Sequence, residues 1–168
     1  GDHFDRASNS MSHFVISRER LVPLGGREPY RDRLRDCRML ELPKIAGTDG
    51  SLTYVEGPGI IPFEPRRAFY VYDLPEGAKR AGHALVSCRQ VLIAVAGSFD
   101  VLVDDGDARA SFRLDRPSAG LYLPARLWRD LAGFSAGAVC LVLASHPYDE
   151  ASYIRSYDSF KAMPFAPE

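Results

Sequence analysis

Short runs of branched and aromatic residues, separated by glycine, proline or aspartate, recur from Cys37 to Ser145. Runs of this kind at even spacing are typical of the strands of a β-sandwich or barrel. The run at 99–104 places Phe99, Val101 and Val103 at alternate positions, which commits one face of that strand to a core. An all-β domain is therefore expected, with strands at 38–42, 51–56, 67–73, 82–86, 90–96, 99–104, 108–114, 119–123, 128–132 and 138–145.

Two further sequence patterns predict a hairpin turn and a C-terminal helix. The Asp105-Gly106 pair predicts a two-residue hairpin turn, because both positions of such a turn need positive φ values. After Pro147 the apolar residues change to the spacing of one helix face, at Tyr153, Ile154, Tyr157 and Phe160. We expect one amphipathic C-terminal α-helix packed against the β domain.

The N-terminal part of the chain is less regular. Residues 14–24 hold a modest apolar patch, which is either an added strand or a short helix, and residues 28–36 are a short surface helix or a linker. We expect an N-terminal extension at residues 1–36 and a single domain at 37–168. Within the extension, the polar residues 1–10 precede Met11, which is a candidate natural start.

Composition excludes several classes of protein. The chain has 21 basic and 22 acidic residues, so no net field recruits nucleic acid or an anionic membrane. The longest apolar run, 138–144, is far shorter than the ~20 residues of a spanning helix, and the first ten residues lack the features of a signal peptide. Three cysteines without a C-x-x-C pair favour a reducing compartment. A cytoplasmic protein without a nucleic-acid or membrane partner is expected.

The stretch at 77–97, GAKRAGHALVSCRQVLIAVAG, has the outline of the first signature of a cupin. In metal-binding cupins this signature supplies two histidines at alternate strand positions and a glutamate, which converge on one ion. Here only His83 remains, because Leu85 and Arg89 occupy the other two positions. The second signature would place its histidine at Arg129. The residues therefore predict a protein that uses no metal.

A longer series resembles the WxcM-like branch of the cupins, the dTDP-sugar 3,4-ketoisomerases. The resemblance runs from about Cys37 to about Phe160 and includes the segments CRMLELPKIAGTDGSLTYVEG, IPFEPRRAFYVYDLPEGAKRAGHA, QVLIAVAGSFDVLVDDG and RPSAGLYLPARLWRDLAGFSAGAVCLVLASHPYDEASYIRSYDSF. It implies a cupin jelly-roll β-barrel with a C-terminal α-helix, a homodimer, and a dTDP-linked keto-deoxyhexose as substrate. The family motif Gly-His-Ala-His reads Gly82-His83-Ala84-Leu85 here, and Arg89 replaces the family's glutamate.

The family reaction moves a carbonyl from C4 to C3 of the sugar through an enediolate, which requires a base for the C3 proton. His83 is the candidate base, since an imidazole titrates near ~6.5; the alternative is a structural histidine in the barrel mouth. Tyr70 and Tyr72 alternate on one strand face and are candidates for proton relay, unless they are ordinary strand aromatics. No cofactor is implied.

Several further residues are candidates for substrate binding. Arg67 and Arg80 flank the strand before His83, and guanidinium groups bind a diphosphate through forked bonds. Trp128 either stacks on the base or sugar, next to Arg129, or plugs the barrel. Arg89 pairs with an acidic neighbour, polarises a keto oxygen or binds phosphate.

Two functions follow from these residues. The first is a sugar-nucleotide isomerase that acts on a dTDP-4-keto-6-deoxyhexose by metal-free proton transfer, as a 3,4-ketoisomerase or in a related isomerisation or epimerisation. The second is a catalytically degenerate cupin that binds a nucleotide sugar or serves as a partner subunit. Leu85 and Arg89 favour the second function or a changed reaction.

Overall fold

The structure is a computed structural model, and it describes residues 15–16 and 33–163. The chain folds into antiparallel strands with two short α-helices. The strands β1–β13 span Val15–Ile16, Arg38–Glu41, Lys44–Gly47, Gly50–Thr53, Arg67–Val71, Arg80–Leu85, Gln90–Ala96, Phe99–Asp104, Arg109–Leu114, Ala119–Leu123, Trp128–Ala132, Val139–Ala144 and Tyr153–Ile154; the helices are α1, Arg33–Asp36, and α2, Tyr157–Ala162.

The strands form two main sheets and one separate hairpin. The six-stranded sheet has the order β1-β9-β8-β11-β6-β13, and the five-stranded sheet has the order β2-β10-β7-β12-β5. The hairpin β3–β4 is a two-stranded sheet of its own. All strand pairs are antiparallel. This is the predicted all-β jelly roll of the cupins, built as two facing sheets.

The space between the two sheets holds the main hydrophobic core. Alternate residues of β8 and β9 point into it from the six-stranded sheet, and residues of β7, β10 and β12 meet them from the other side. Its buried members include Phe99, Val101, Phe112, Leu121 and Val142. Burial of about 25 cal/mol per Å² of apolar surface is the main force that holds such sheets together.

The hairpin between β8 and β9 differs from the predicted two-residue turn. Asp104 and Arg109 form the last strand pair, so residues 105–108 make a four-residue tip. The Oδ1 atom of Asp105 accepts hydrogen bonds from the backbone N–H groups of Asp107 and Ala108, both at 2.8 Å. The carboxylate therefore satisfies the backbone donors that a two-residue turn would have paired across the strands.

The C-terminal segment is only partly helical, which corrects the prediction of one helix across Tyr153 and Phe160. Residues 150–152 form a 3₁₀ turn, Tyr153 and Ile154 form β13, and helix α2 begins at Tyr157. Strand β13 pairs with the end of β6. The edge of β6 offers hydrogen-bond partners to the backbone groups of Tyr153 and Ile154, which a helix would have paired within the segment. The predicted apolar stripe is therefore divided between strand β13 and helix α2.

The extension is described only at residues 15–16 and from Arg33 onward. Val15–Ile16 pair with β9, as an added strand would, and α1 occupies part of the segment predicted as helix or linker. The remaining expectations for residues 1–32 lie outside the described residues. Within the part that the structure describes, no helix has the length and apolar character needed to span a membrane.

Candidate functional site

The space between the sheets is polar at one end. Arg129 on β11 donates from Nη1 to Oε1 of Gln90 on β7 at 2.7 Å, which joins the two sheets. Arg67 on β5 donates from Nη2 to the hydroxyl of Tyr153 on β13 at 3.3 Å, which joins them a second time. His83 on β6 lies between these links, since it pairs with Arg129 across the strands and its ring contacts that of Tyr153 at a tilted angle. We call these five residues the inner polar cluster.

A β-bulge in β6 aims His83 at this cluster. His83 pairs with Arg129, but the next residue of β11, Asp130, pairs with Ala81, so Gly82 is the extra residue. Ala81 and Gly82 both have positive φ values, 68° and 69°. A bulge re-directs the neighbouring side chain and is frequent beside active sites. Glycine at 82 fits because this backbone conformation strains residues that carry a Cβ atom.

The guanidinium of Arg129 is buried and has no carboxylate partner among the described residues. Its side chain is among the largest that are fully buried, with 1% of the residue exposed. Besides Gln90, it donates from Nη2 to the carbonyl of Leu127 at 3.2 Å, and Nε has no hydrogen-bond partner among the described residues. No ion pair of residues 33–163 includes it. Burial lowers its pKa to about 10, so the group stays charged near neutrality and is suited to an anionic ligand.

His83 is a neutral imidazole in this environment. Burial and, next, the charge of Arg129 lower its pKa to about 4, although a backbone hydrogen bond with Ala81 acts in the opposite direction. Its Nδ1 atom is buried and has no hydrogen-bond partner within residues 33–163. Buried polar atoms are nearly always bonded, so this nitrogen is available to a bound molecule. A neutral ring with a free nitrogen can accept a proton.

Tyr153 is one of two members of the cluster that were not predicted from the sequence as site residues. Its ring centroid lies 4.9 Å from that of His83. The guanidinium of Arg155 also lies over the ring of Tyr153, 4.7 Å from its centroid. The sequence pattern assigned Tyr153 to a helix stripe, where a tyrosine is an ordinary packing residue. Only its pairing with β6 brings the hydroxyl to the interior of the roll.

Leu85 occupies the position where the family resemblance places a second histidine. The side chain is fully buried and packs with Cys88, Ala144 and Tyr153. Gln90 also belongs to the cluster and was not predicted, because it opens an apolar strand. Together, the cluster holds one imidazole, one phenol, one amide and two guanidinium groups, with an apolar wall at Leu85.

Tyr70 and Tyr72 are not brought to His83, which corrects their predicted position in the mouth. They do share one strand face, as expected, but Phe69 and Val71 take the inner face and pack on the main core. Tyr70 and Tyr72 are 63% and 57% exposed, with ring centroids 5.7 Å apart. Both faces of this strand are apolar in sequence, so alternation alone does not tell which one is inside.

Trp128 lies on the outer side of the six-stranded sheet. It packs with Ala84 and Phe160 beneath α2 and donates from Nε1 to Oδ2 of Asp130 at 3.0 Å. Its ring meets that of Tyr157 edge-on at 5.4 Å. A side chain held in this way cannot stack on a ligand beside Arg129, which points to the opposite face. The tryptophan therefore fixes the C-terminal helix.

Arg89 and Arg80 also lie away from the cluster. Arg89 donates from Nη1 to the carbonyl of Pro62 at 3.2 Å and lies over the ring of Phe63, 5.5 Å from its centroid. Since Gln90 points inward, its neighbour points outward, and the substitution at Arg89 does not place a charge beside His83. Arg80 is exposed at the start of β6.

The donor set does not fit a metal ion. Around His83 are two guanidinium groups, a phenol and a leucine, none of which is a ligand for a divalent cation at neutral pH. The amide oxygen of Gln90 already accepts a hydrogen bond from Arg129. In the described part of the chain, no three His, Cys, Asp or Glu side chains are grouped so that they could hold an ion.

Comparison with known proteins gives consistent matches over the β domain. Residues 35–164 match the family model FdtA, WxcM-like, C-terminal. The TDP-4-oxo-6-deoxy-α-D-glucose-3,4-oxoisomerase of Aneurinibacillus thermoaerophilus is 39% identical over 124 residues, which cover 74% of this chain and 89% of the relative.

Two solved structures show the same relationship. A 3,4-ketoisomerase from Helicobacter canadensis has a TM-score of 0.74 at 39% identity, covering 76% of this chain and 96% of that one. A variant of the 3,4-ketoisomerase QdtA from Thermoanaerobacterium thermosaccharolyticum, in complex with TDP-4-keto-6-deoxyglucose, has a TM-score of 0.73 at 35% identity, covering 75% and 91%. The chain belongs to the WxcM-like family of dTDP-4-keto-6-deoxyhexose 3,4-ketoisomerases.

Proposed function

We propose that this protein catalyses the 3,4-ketoisomerisation of a dTDP-4-keto-6-deoxyhexose. The relatives support the reaction and the substrate class, since they are TDP-sugar 3,4-ketoisomerases. The observation that carries the proposal is the pairing of His83 and Arg129. Among the described residues, the imidazole has a buried nitrogen without a hydrogen-bond partner, and the fully buried guanidinium has no carboxylate partner.

The chemistry of the reaction fits this pair. The C3 proton is acidic because it lies next to the C4 carbonyl, and a neutral imidazole can remove it. The negative charge then spreads over the two oxygens of an enediolate. A fixed guanidinium in a water-poor site stabilises such a developing charge more than water does. In this proposal His83 carries the proton from C3 to C4, and Arg129 faces the enediolate.

Arg67 is our candidate for the diphosphate of the nucleotide. It lies at the polar end of the roll, and its Nε atom is buried without a hydrogen-bond partner among the described residues. Arg80 lies on the exposed start of the strand that carries His83 and extends the positive surface. The donor set around His83 supports a mechanism without metal. Cys37, Cys88 and Cys140 are buried and form no disulfide, which supports a reducing, cytoplasmic location.

The test is product formation from dTDP-4-keto-6-deoxyglucose, followed by proton NMR, with wild type, His83→Gln and Arg80→Gln. We expect wild type to form the 3-keto isomer, His83→Gln to lose at least about 100-fold in kcat, and Arg80→Gln to change mainly KM. Failure of the wild type to convert this substrate, with tight binding of TDP retained, would reject the proposal.

Leu85 supports a second candidate, a degenerate cupin that binds a nucleotide sugar without turning it over. Its buried alkyl group stands where the family resemblance implies an acid–base histidine, and it cannot transfer a proton. The same NMR experiment separates the two candidates, because a binding protein gives TDP affinity without any isomer.

We also propose that the protein is a homodimer that uses the β3–β4 hairpin. Ile45 and Leu52 on this hairpin are 62% and 55% exposed, and an isolated two-stranded hairpin is at best marginally stable in water. The exposed pair Tyr70 and Tyr72 gives the outer face of β5 a second apolar surface. Both surfaces are suited to contact with another copy of the chain.

Light scattering after size exclusion tests this assembly. We expect a mass near twice 18.6 kDa for wild type and near the single-chain value for Ile45→Lys combined with Leu52→Lys. The exposed Lys44→Glu change, on the same strand, serves as the control and leaves the dimer intact. A wild type with the single-chain mass at micromolar concentration would rule out the proposed dimer.

A further inference from the structure

We propose that the hydroxyl of Tyr153 is the second proton carrier of this site, acting on the sugar oxygens while His83 acts on the carbons. The inference rests on the proposed ketoisomerase function and deepens it. It assigns to a tyrosine the acid–base capacity that the chain lacks at Leu85.

The geometry around Tyr153 supports this role. Its ring lies 4.9 Å from the ring of His83, centroid to centroid, so a hexose that touches His83 also meets the phenol. The hydroxyl accepts a hydrogen bond from Nη2 of Arg67 at 3.3 Å, and its own proton is therefore free for a ligand. Arg155 stacks 4.7 Å from the ring centroid. Arg155 is held there by an ion pair with Glu150, so Arg67 is the guanidinium that stabilises a transient phenolate.

The other tyrosines near this end are committed elsewhere. The hydroxyl of Tyr157 donates to Oδ2 of Asp104 at 2.7 Å, on the outer side of the six-stranded sheet. The hydroxyl of Tyr148 donates to Oε2 of Glu150, which also accepts a hydrogen bond from Nη2 of Arg155. Of these three tyrosines, Tyr153 is the one in ring contact with His83, and its hydroxyl accepts from a cation and has no acceptor for its own proton among the described residues.

The proton balance of the reaction requires a group of this kind. The substrate has a hydroxyl on C3 and a carbonyl at C4, and the product has the reverse. As His83 takes the C3 proton, Tyr153 gives its proton to O4, and a neutral 3,4-enediol forms. Tyr153 then recovers a proton from O3 as the C3 carbonyl forms, and His83 returns its proton to C4. Both side chains end in their starting states, and no oxidant or other reactant is consumed.

The experiment compares two rates in D₂O for wild type, Tyr153→Phe and Tyr148→Phe, with dTDP-4-keto-6-deoxyglucose as substrate. Proton NMR measures formation of the 3-keto isomer and incorporation of deuterium at C3 of the remaining substrate. We expect Tyr153→Phe to isomerise about 100-fold more slowly than wild type. The rate of deuterium exchange at C3 decreases by a factor about ten times smaller than the rate of isomerisation does. The reason is that His83 and Arg129 still form an enediolate that returns to substrate. Tyr148→Phe changes both rates less than about twofold.

The outcomes separate this inference from the proposed function. A wild type with neither product nor exchange rejects both. An active wild type, with Tyr153→Phe either unchanged or slowed equally in both rates, overturns the role of Tyr153 alone, since a structural tyrosine affects the two rates together. If Tyr153→Phe does not fold, 3,5-difluorotyrosine at position 153 keeps the ring and gives a more acidic phenol. The alkaline limb of kcat then moves down by about one pH unit or more, and an unmoved limb overturns the inference.

Discussion

Tyr153 lies directly across from Leu85 in the β13–β6 strand pair and packs on its buried side chain. One residue carries a phenol into the inner polar cluster, and the other presents an alkyl group where the family resemblance implies an imidazole. The two positions are close enough for one to take over the chemistry of the other. This placement supports our proposal that Tyr153 supplies the acid–base group that Leu85 cannot.

This relationship predicts a rescue. Leu85→His added to Tyr153→Phe supplies an imidazole beside the lost hydroxyl, and we expect the double variant to isomerise at least about tenfold faster than Tyr153→Phe alone. A buried polar ring costs on the order of 1–3 kcal/mol of stability, so kcat is measured well below the melting temperature. Leu85→Met is the matched control, because it fills the same space without a proton to transfer. A double variant as slow as Tyr153→Phe would show that the positions do not share a function.

The pKa of His83 predicts how stability depends on pH. The pKa of His83 is about 4 in the folded chain, below the ordinary 6.5. Between pH 4 and pH 6.5 the unfolded chain therefore binds a proton at this residue that the folded chain does not bind. Stability is therefore full above pH 6.5 and falls as the pH drops. By linkage, the loss at pH 5 is about 2 kcal/mol. Urea unfolding at pH 7.5 and pH 5 measures it.

The matched variant for this pH effect is His83→Gln, which has no titrating ring at that position. Its loss of stability between pH 7.5 and pH 5 is smaller than that of wild type by the same ~2 kcal/mol. In catalysis, the base stays deprotonated to low pH, and we expect the acid limb of kcat/KM well below pH 6.5. An NMR titration of His83 with a midpoint near 6.5 would contradict the desolvated ring.

Trp128 predicts a loss of stability without a loss of binding. Trp128→Leu removes the contacts with Tyr157 and Phe160 and the hydrogen bond to Asp130. Changes of this size in a core cost about 2–4 kcal/mol, measured by urea unfolding. The affinity for TDP, measured by calorimetry, should stay within about twofold of wild type. A tenfold weaker affinity with unchanged stability would instead place the indole against the nucleotide.

The sequence predicted the sheets more accurately than the site. The bounds of β7, β8, β10 and β11 agree with the predicted runs because an alternating or continuously apolar strand between turn residues has few other structures. The hairpin β3–β4 was only half predicted, since Lys44–Gly47 is short and has little apolar pattern. The C-terminal stripe was assigned to one helix because Tyr153 and Ile154 fit both periods.

The site depended on which face of each strand is inside, and local pattern decides this only where one face is polar. Phe69 and Tyr70 are both apolar enough to face a core, so alternation placed the tyrosines together but on the wrong side. His83 and Arg129 were identified because they stand at the histidine positions of the two cupin signatures. Gln90 and Tyr153 were missed because their partners are residues far along the chain, at separations of 39 and 86 positions.

The central claim is that His83 removes the C3 proton of a keto-deoxyhexose. Incubation of the protein with dTDP-4-keto-6-deoxyglucose in D₂O, followed by proton NMR, tests it most directly. We predict that wild type incorporates deuterium at the reacting carbons and that His83→Gln, while still binding TDP, does so at least about 100-fold more slowly. Equal incorporation by wild type and a folded His83→Gln variant would contradict the claim.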